Sequence, residues 1–377
     1  MKAAPRDRQF SKKTSRERVL SIGGCGGELR PRQAPSMRQP RLKVPADRPV
    51  GYYHCLSRVV DRRFIFGEPE KEHFVKLMRE YEVFCEVQVL THSVMSNHFH
   101  ILLEVPSRPV LLPDAEAILA KLKNLSGHNG LKRLRQQVEM LRKANDHAAE
   151  AQLLARYHDR MWDVSAYMKL VKQRFTQWYN RRNERKGTLW EERFRSVLVE
   201  GSGEALLAMA AYIDLNSVRA RIVPDPKDYR WSGYGAAVAG DEPARVGLQA
   251  IVRALPGGQE ASPTRALELY RMHLYRVGDE QRESVGPDGR TERGALAHEE
   301  VMKVLGAKGR LPLASYVRCR VRYFSDGAVL GSREFVNGIF THYRRRFGAK
   351  RKDGARRVQG LETELYVLRD LRLGVFG

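Results

Sequence analysis

The chain has 377 residues, 42% hydrophobic and 29% charged, an ordinary balance for a globular protein large enough to bury a core without staples. Its longest apolar run, Ala205 to Ile213, is nine residues against the ~18 needed to span a bilayer, and the basic N-terminus lacks a signal-peptide core, so membrane and secretory readings are set aside. Four dispersed cysteines with no CxxC point away from a zinc ribbon or disulfide framework and toward a reducing cytoplasm, while a net charge of +23 points to a polyanion, best a nucleic acid.

Residues 1–48 hold thirteen Lys/Arg, four Asp/Glu and little apolar periodicity, and read as a disordered basic arm. Met37 opens a stretch that reads as a protein start in its own right, so Met1 and Met37 both stand as starts and residues 1–36 are expected to be dispensable. The stretch 52–58 (YYHCLSR) predicts a first strand. Phe74, Leu77, Met78, Tyr81 and Phe84 fall at spacings of three and four, predicting a helix over 69–84. Alternation around Val87, Val89 and Thr91 predicts a second strand, and a Ser96-Asn97 turn leads into a third, His98–Val105, closed by Pro106. This β-α-β-β order is the first half of a split βαβ, or ferredoxin-like, arrangement.

Residues 107–160 interrupt it with a polar, helical pattern in which Leu131, Leu134, Val138 and Leu141 fall at heptad spacing; two heptads are too few for a coiled coil, and the stretch is read as an inserted helical hairpin. The core resumes with a helix from about Asp163 to Arg182, a strand over 188–200 and a last helix running from Ala205 to Val218. The class is therefore α+β, a βαββαβα core at 49–240 with a helical insertion. Residues 241–377 are expected to form a separate, mostly helical basic region, with a linker at 256–263 and a helix from Ser332 to Phe347.

His98-Phe99-His100 on a strand sends two imidazoles to one face and Phe99 to the other, a pair that can hold one divalent cation. On its own an HxH is equally a pair of exposed strand histidines. Tyr212 and Asn216, at i,i+4 on the last helix, put a phenol and a carboxamide on one face, although a core tyrosine in ALLAMAAYI explains the first equally well. Brought together by a ferredoxin-like sheet, the four suit attack of a phenolate on a phosphodiester assisted by a metal.

The stretches GYYHCLSR, THSVMSNHFHILLEVP, GTLWEERFRSVLVE and YIDLNSVRARIVPDPKDYRWSGY resemble the single-tyrosine HUH transposases of small insertion sequences, and among them the REP-associated tyrosine transposases. The resemblance covers about residues 46–240, less the insertion. It implies that His98 and His100 are the HUH pair, Tyr212 the nucleophile, Asn216 the third ligand, and Mg²⁺ or Mn²⁺ the cofactor. Trp190, Glu191 and Arg193 match the family's G-x-x-W-x-x-R-F segment, and Tyr229, Trp231, Ser232 and Tyr234 its closing Y-x-W-S-x-Y. Ser217 and Arg221 depart from the family's usual proline and glycine.

The expected partner is single-stranded or hairpin DNA, cut and rejoined through a 5′-phosphotyrosine by a cytoplasmic, nucleoid-associated protein, with monomer and homodimer left open. Arg58, Arg62, Arg63, Arg193 and Arg195 are expected to hold backbone phosphates, with Arg344, Arg345 and Arg346 adding to the grip from the C-terminal helix. The alternatives are a domesticated hairpin binder that does not cut, an RNA-binding ferredoxin-like domain without an RNP1 run, and a replication initiator without a P-loop.

Overall fold

The computed structural model describes residues 40–125, 127–277, 324, 327–358 and 364–369. The strand-forming run VGYYHCLSR is β1 (Val50–Arg58). Helix α1 (Glu68–Cys85) carries Pro69 in its first turn, where no N–H is needed, with Glu68 and Glu70 at its positive end. It stops where Glu86 turns left-handed, at φ 53°. β2 (Gln88–Val94) and β3 (His98–Pro106) pair as an antiparallel hairpin.

The insertion forms α2 (Ala115–Leu122), α3 (His128–Lys143) and α4 (His147–His158), one helix more than the expected hairpin, with Leu134 and Val138 buried beneath α3. The Asp163 carboxylate then accepts the Ala166 amide at 2.8 Å and starts α5 (Val164–Arg182). β4 (Arg195–Val199) follows, and β1 lies antiparallel between β3 and β4. The order β2-β3-β1-β4 is that of a split βαβ.

Alternation along these strands makes two cores. Tyr53, Cys55, Phe99, Ile101, Leu103 and Leu198 pack under α1 and α5. Leu102, Val197 and Val199 face the opposite way, against α6 (Glu204–Asp214), whose ALLAMAAYI run is buried throughout. On that second face lie also α8 (Gly233–Val238), α9 (Glu242–Val252) and α10 (Pro263–Val277). α9 approaches β2 so closely that a Cβ on Gly247 would sit 2.5 Å from the Leu90 carbonyl oxygen.

Beyond the extra helix of the insertion, the structure differs from the sequence expectations in four places. The strand expected over 188–200 begins only at Arg195, because Trp190 turns inward onto α5, where its Nε1–H donates to Thr176 Oγ1 at 2.9 Å. The helix expected over 205–218 breaks at Leu215, and a short α7 (Asn216–Arg219) begins anew. The region from 241 does not stand apart: β5 (Gly327–Gly331) pairs parallel with β4, and β7 (Tyr366–Arg369) and β6 (Arg356–Arg357) extend one sheet to the order β2-β3-β1-β4-β5-β7-β6. Residues 41–377 cluster as one unit, with α11 (Arg333–His342) packed on the α1 and α5 face.

Finally, the basic arm docks before residue 49. Val44 N–H donates to Tyr53 OH at 2.9 Å, Tyr343 OH donates to the Lys43 carbonyl at 2.9 Å, and the Arg41 guanidinium stacks on Phe194 at 3.4 Å. The expectation of disorder for residues 1–39, and the start at Met37, lie outside the described residues.

Candidate active site

On β3 the two-residue period puts Phe99 against Phe74, 4.4 Å between ring centroids, and leaves His98 and His100 on the α6 face, 5.1 Å apart. Because α6 is apolar all round it sinks fully onto that face, and its last turn carries Tyr212 to 5.8 Å from the His100 ring. Tyr212 is only 5% exposed. The rotation of α6 is fixed by Asp214, whose carboxylate accepts Thr91 Oγ1–H and Tyr270 O–H, each at 2.7 Å, and the Tyr234 amide at 3.2 Å. Burial pushes this carboxyl up to about 6, against the pull of those three hydrogen bonds.

Asn216 opens α7 immediately after the break, buried, with no hydrogen-bond partner for its amide nitrogen. Arg219, one turn on, sets its guanidinium 4.2 Å from the Tyr212 ring centroid and donates to the Tyr212 carbonyl at 3.1 Å. The Phe324 ring lies against the same phenol at 5.0 Å.

A further group, which the sequence reading passed over, is His54 on β1. Leu56 is the register partner of His100, so His54, two residues earlier, shares its face. His54 Nε2 is 2.9 Å from His100 Nδ1, its Nδ1 is 2.8 Å from the Phe324 carbonyl oxygen, and its ring is 6.0 Å from Tyr212. Burial lowers His54 to about 4 and His100 well below the usual histidine value, so both rings are neutral at pH 7. Only the register reveals it: among β1 residues on the His100 side, His54 is the buried polar one, flanked by Tyr53 and Cys55, which face the other core.

The residues suit the divalent cation that the sequence implied. Asn97 donates its amide N–H to the Arg62 carbonyl at 3.0 Å, so its Oδ1 accepts from His98 Nδ1–H at 2.7 Å. In neutral His98 the lone pair then resides on Nε2, the nitrogen a cation requires. The Asn216 amide nitrogen is a buried donor without a hydrogen-bond partner, of the kind a water or phosphate oxygen satisfies, while the Oδ1 of the same group is the atom a cation would take. Among the described residues no three His, Cys, Asp or Glu side chains cluster as a metal site, so the donors on offer to a cation are those the sequence implied, two imidazoles and an amide.

The arginines divide. Arg58, Arg193 and Arg195 line one groove with Leu56, Ser57, Glu191 and Glu192, and Arg58 is the register partner of His98. Arg62 and Arg63 are exposed on the turn after β1, joined to the histidine strand through Asn97. Arg344, Arg345 and Arg346 are not brought to this face, since α11 packs on the opposite side of the sheet. There the Arg344 guanidinium donates to the carbonyls of Phe347, Gly348 and Ala349, bracing the loop that follows the helix.

Among solved structures, a REP-associated tyrosine transposase bound to a REP hairpin matches at 12% identity and a TM-score of 0.34, over 55% of this chain and 87% of that one. No curated protein matches the chain. The family model described as "Transposase IS200 like" matches residues 49–147, a stretch that contains His54, His98 and His100 and ends before Tyr212 and Asn216. The part of the chain that presents the histidine strand, residues 49–147, is thus similar to the IS200-like transposases.

Proposed function

We propose that the chain is a transposase-like DNA transesterase that cuts and rejoins single-stranded, hairpin-containing DNA with Tyr212 as its nucleophile. The observation that carries this reading is the meeting of Tyr212 with His100, 5.8 Å apart, from elements that only the fold brings together. The Tyr212 oxygen bonds to phosphorus as the bond from phosphorus to the 3′ oxygen breaks. The phenolic proton is released, the 5′ phosphate stays on the tyrosine, and the 3′ oxygen leaves as a hydroxyl. Rejoining reverses these bonds and needs no external energy, because the phosphodiester is exchanged rather than hydrolysed.

His98, His100 and Asn216 would hold a divalent cation, Mg²⁺ or Mn²⁺, which when bound polarises the phosphoryl oxygen. Arg219, with its guanidinium over the ring and donating to the Tyr212 carbonyl, holds the tyrosine ring in place. Arg58, Arg193 and Arg195 hold the strand by its phosphates beside His98, setting register rather than sequence.

The burial of Tyr212 under Phe324 favours a second reading, a hairpin binder that does not cut. Tyr212→Phe separates the two. With a hairpin labelled 3′ of the cut, wild type is expected to give a covalent adduct on a denaturing gel. The variant should give none, a loss of more than about a thousandfold, with hairpin affinity unchanged. No adduct from wild type with metal present and DNA bound would establish the binder; an adduct in Tyr212→Phe would mean another residue attacks.

A further inference from the structure

We infer that His54 is a positioning residue for His100, fixing the tautomer in which Nε2 of His100 is the nitrogen offered to the cation; this rests on the proposed role of His100 as a ligand. The Phe324 carbonyl oxygen can only accept, so the 2.8 Å contact from His54 Nδ1 requires a proton on that nitrogen. A neutral imidazole carries one proton, so His54 Nε2 is bare and can only accept. The 2.9 Å contact to His100 Nδ1 therefore takes its proton from His100. The two ring planes are parallel to within 10°, and centroids as far apart as 5.1 Å with the nitrogens at 2.9 Å set the rings nearly edge to edge, as an N–H···N bond requires. His100 is left with its lone pair on Nε2.

His98 reaches the same tautomer by another route, through Asn97 and the Arg62 carbonyl. Each histidine thus has its Nδ1–H tied to a backbone carbonyl through one intervening side chain. For His98 the relay lies beside it in sequence. For His100 it crosses from β3 to β1 and ends at Phe324, outside the family-matched stretch. Neither His54 ring nitrogen faces outward: both are occupied, and the ring is 1% exposed. That arrangement gives His54 the part of an outer partner to a ligand, which orients the ligand and sets its basicity.

The test uses the full chain with ¹⁵N-labelled histidine and two variants. His54→Phe keeps a flat ring and removes both nitrogens, whereas His54→Gln keeps an acceptor toward His100. In metal-free wild type, ring ¹⁵N spectra should show His100 protonated at Nδ1 and bare at Nε2, with its signal assigned by its loss in His100→Asn. In His54→Phe the His100 signals should move to a mixture of tautomers. Mn²⁺ affinity, read by electron paramagnetic resonance, should fall about 10–100-fold in His54→Phe and stay within threefold of wild type in His54→Gln.

A wild-type His100 protonated at Nε2 overturns the inference by itself, whether or not either variant folds. So does a folded His54→Phe with unchanged tautomer and Mn²⁺ affinity, or a Gln variant that loses as much as Phe. If His98→Ala binds Mn²⁺ as wild type does, the ligand reading fails instead, and the tautomer spectrum still decides the part played by His54.

Discussion

Lys172 puts an ammonium where α5 meets the loop before β4, 9% exposed, donating to the Glu192 carbonyl at 3.1 Å and 5.1 Å from the Trp190 ring centroid. Burial, with the Arg41 charge adding, lowers its pKa from 10.5 to about 7. Between pH 7 and 10.5 the unfolded chain therefore holds a proton here that the folded chain has lost. Stability from this group rises with pH across that window. At ~1.4 kcal/mol per pH unit the gain reaches a few kcal/mol. Lys172→Met, apolar and of similar length, should remove the slope; denaturant unfolding of both proteins at pH 7, 8 and 9 measures it, and parallel pH dependences would refute the assignment. At this scale the sequence was most legible where chemistry is local. His98 with His100, and Tyr212 with Asn216, announce themselves by spacing. His54 and Phe324 did not, because their roles depend on strand register and on a contact with a residue far along the chain.

α9 rests on β2 through Gly247, whose missing side chain lets the helix approach the Val89 and Leu90 carbonyls. Gly247→Ala places a methyl 2.5 Å from the Leu90 oxygen. The helix must lift, and a cost of about 1–3 kcal/mol is expected, seen as a lower denaturant midpoint. A midpoint raised by the better helix former would show that the helix is not pinned there. The elements read correctly from periodicity are those whose neighbours agree with their own pattern: α1, α5 and the β2–β3 hairpin. The ones misjudged were decided elsewhere. Trp190 leaves the strand register because its indole N–H finds Thr176 on α5. The last helix breaks at Leu215, so Tyr212 and Asn216 occupy successive helices rather than one continuous face.

For the whole molecule, the largest departure from the sequence reading is the sheet. Compositional change near residue 241 resembled a domain boundary, yet β5 pairs with β4, and Phe324 anchors His54 and covers Tyr212. Short strands such as GAVLG carry too little pattern to reveal a partner so distant in sequence. Ending the chain at residue 260 should therefore do more than weaken DNA binding. It bares the β4 edge and the apolar residues behind it, and the expected outcome is loss of a sharp thermal transition, with aggregation by size-exclusion chromatography. Removing residues 1–36 should leave the melting temperature within about 2 °C, since the docked stretch starts at Arg41. A 1–260 chain that melts cooperatively and still forms the DNA adduct would refute the single-sheet account. The parallel pairing of β5 with β4 also sets an order in time. At ~5–20 residues per second, the ribosome takes on the order of ten seconds to deliver β5 after β4 has emerged. During that interval the histidine strand and the tyrosine helix already exist, but the relay from His100 still lacks its terminus. A chain abandoned midway is left with an open sheet edge, a target for self-association and degradation, so the complete sheet exists only in molecules whose synthesis has passed β7.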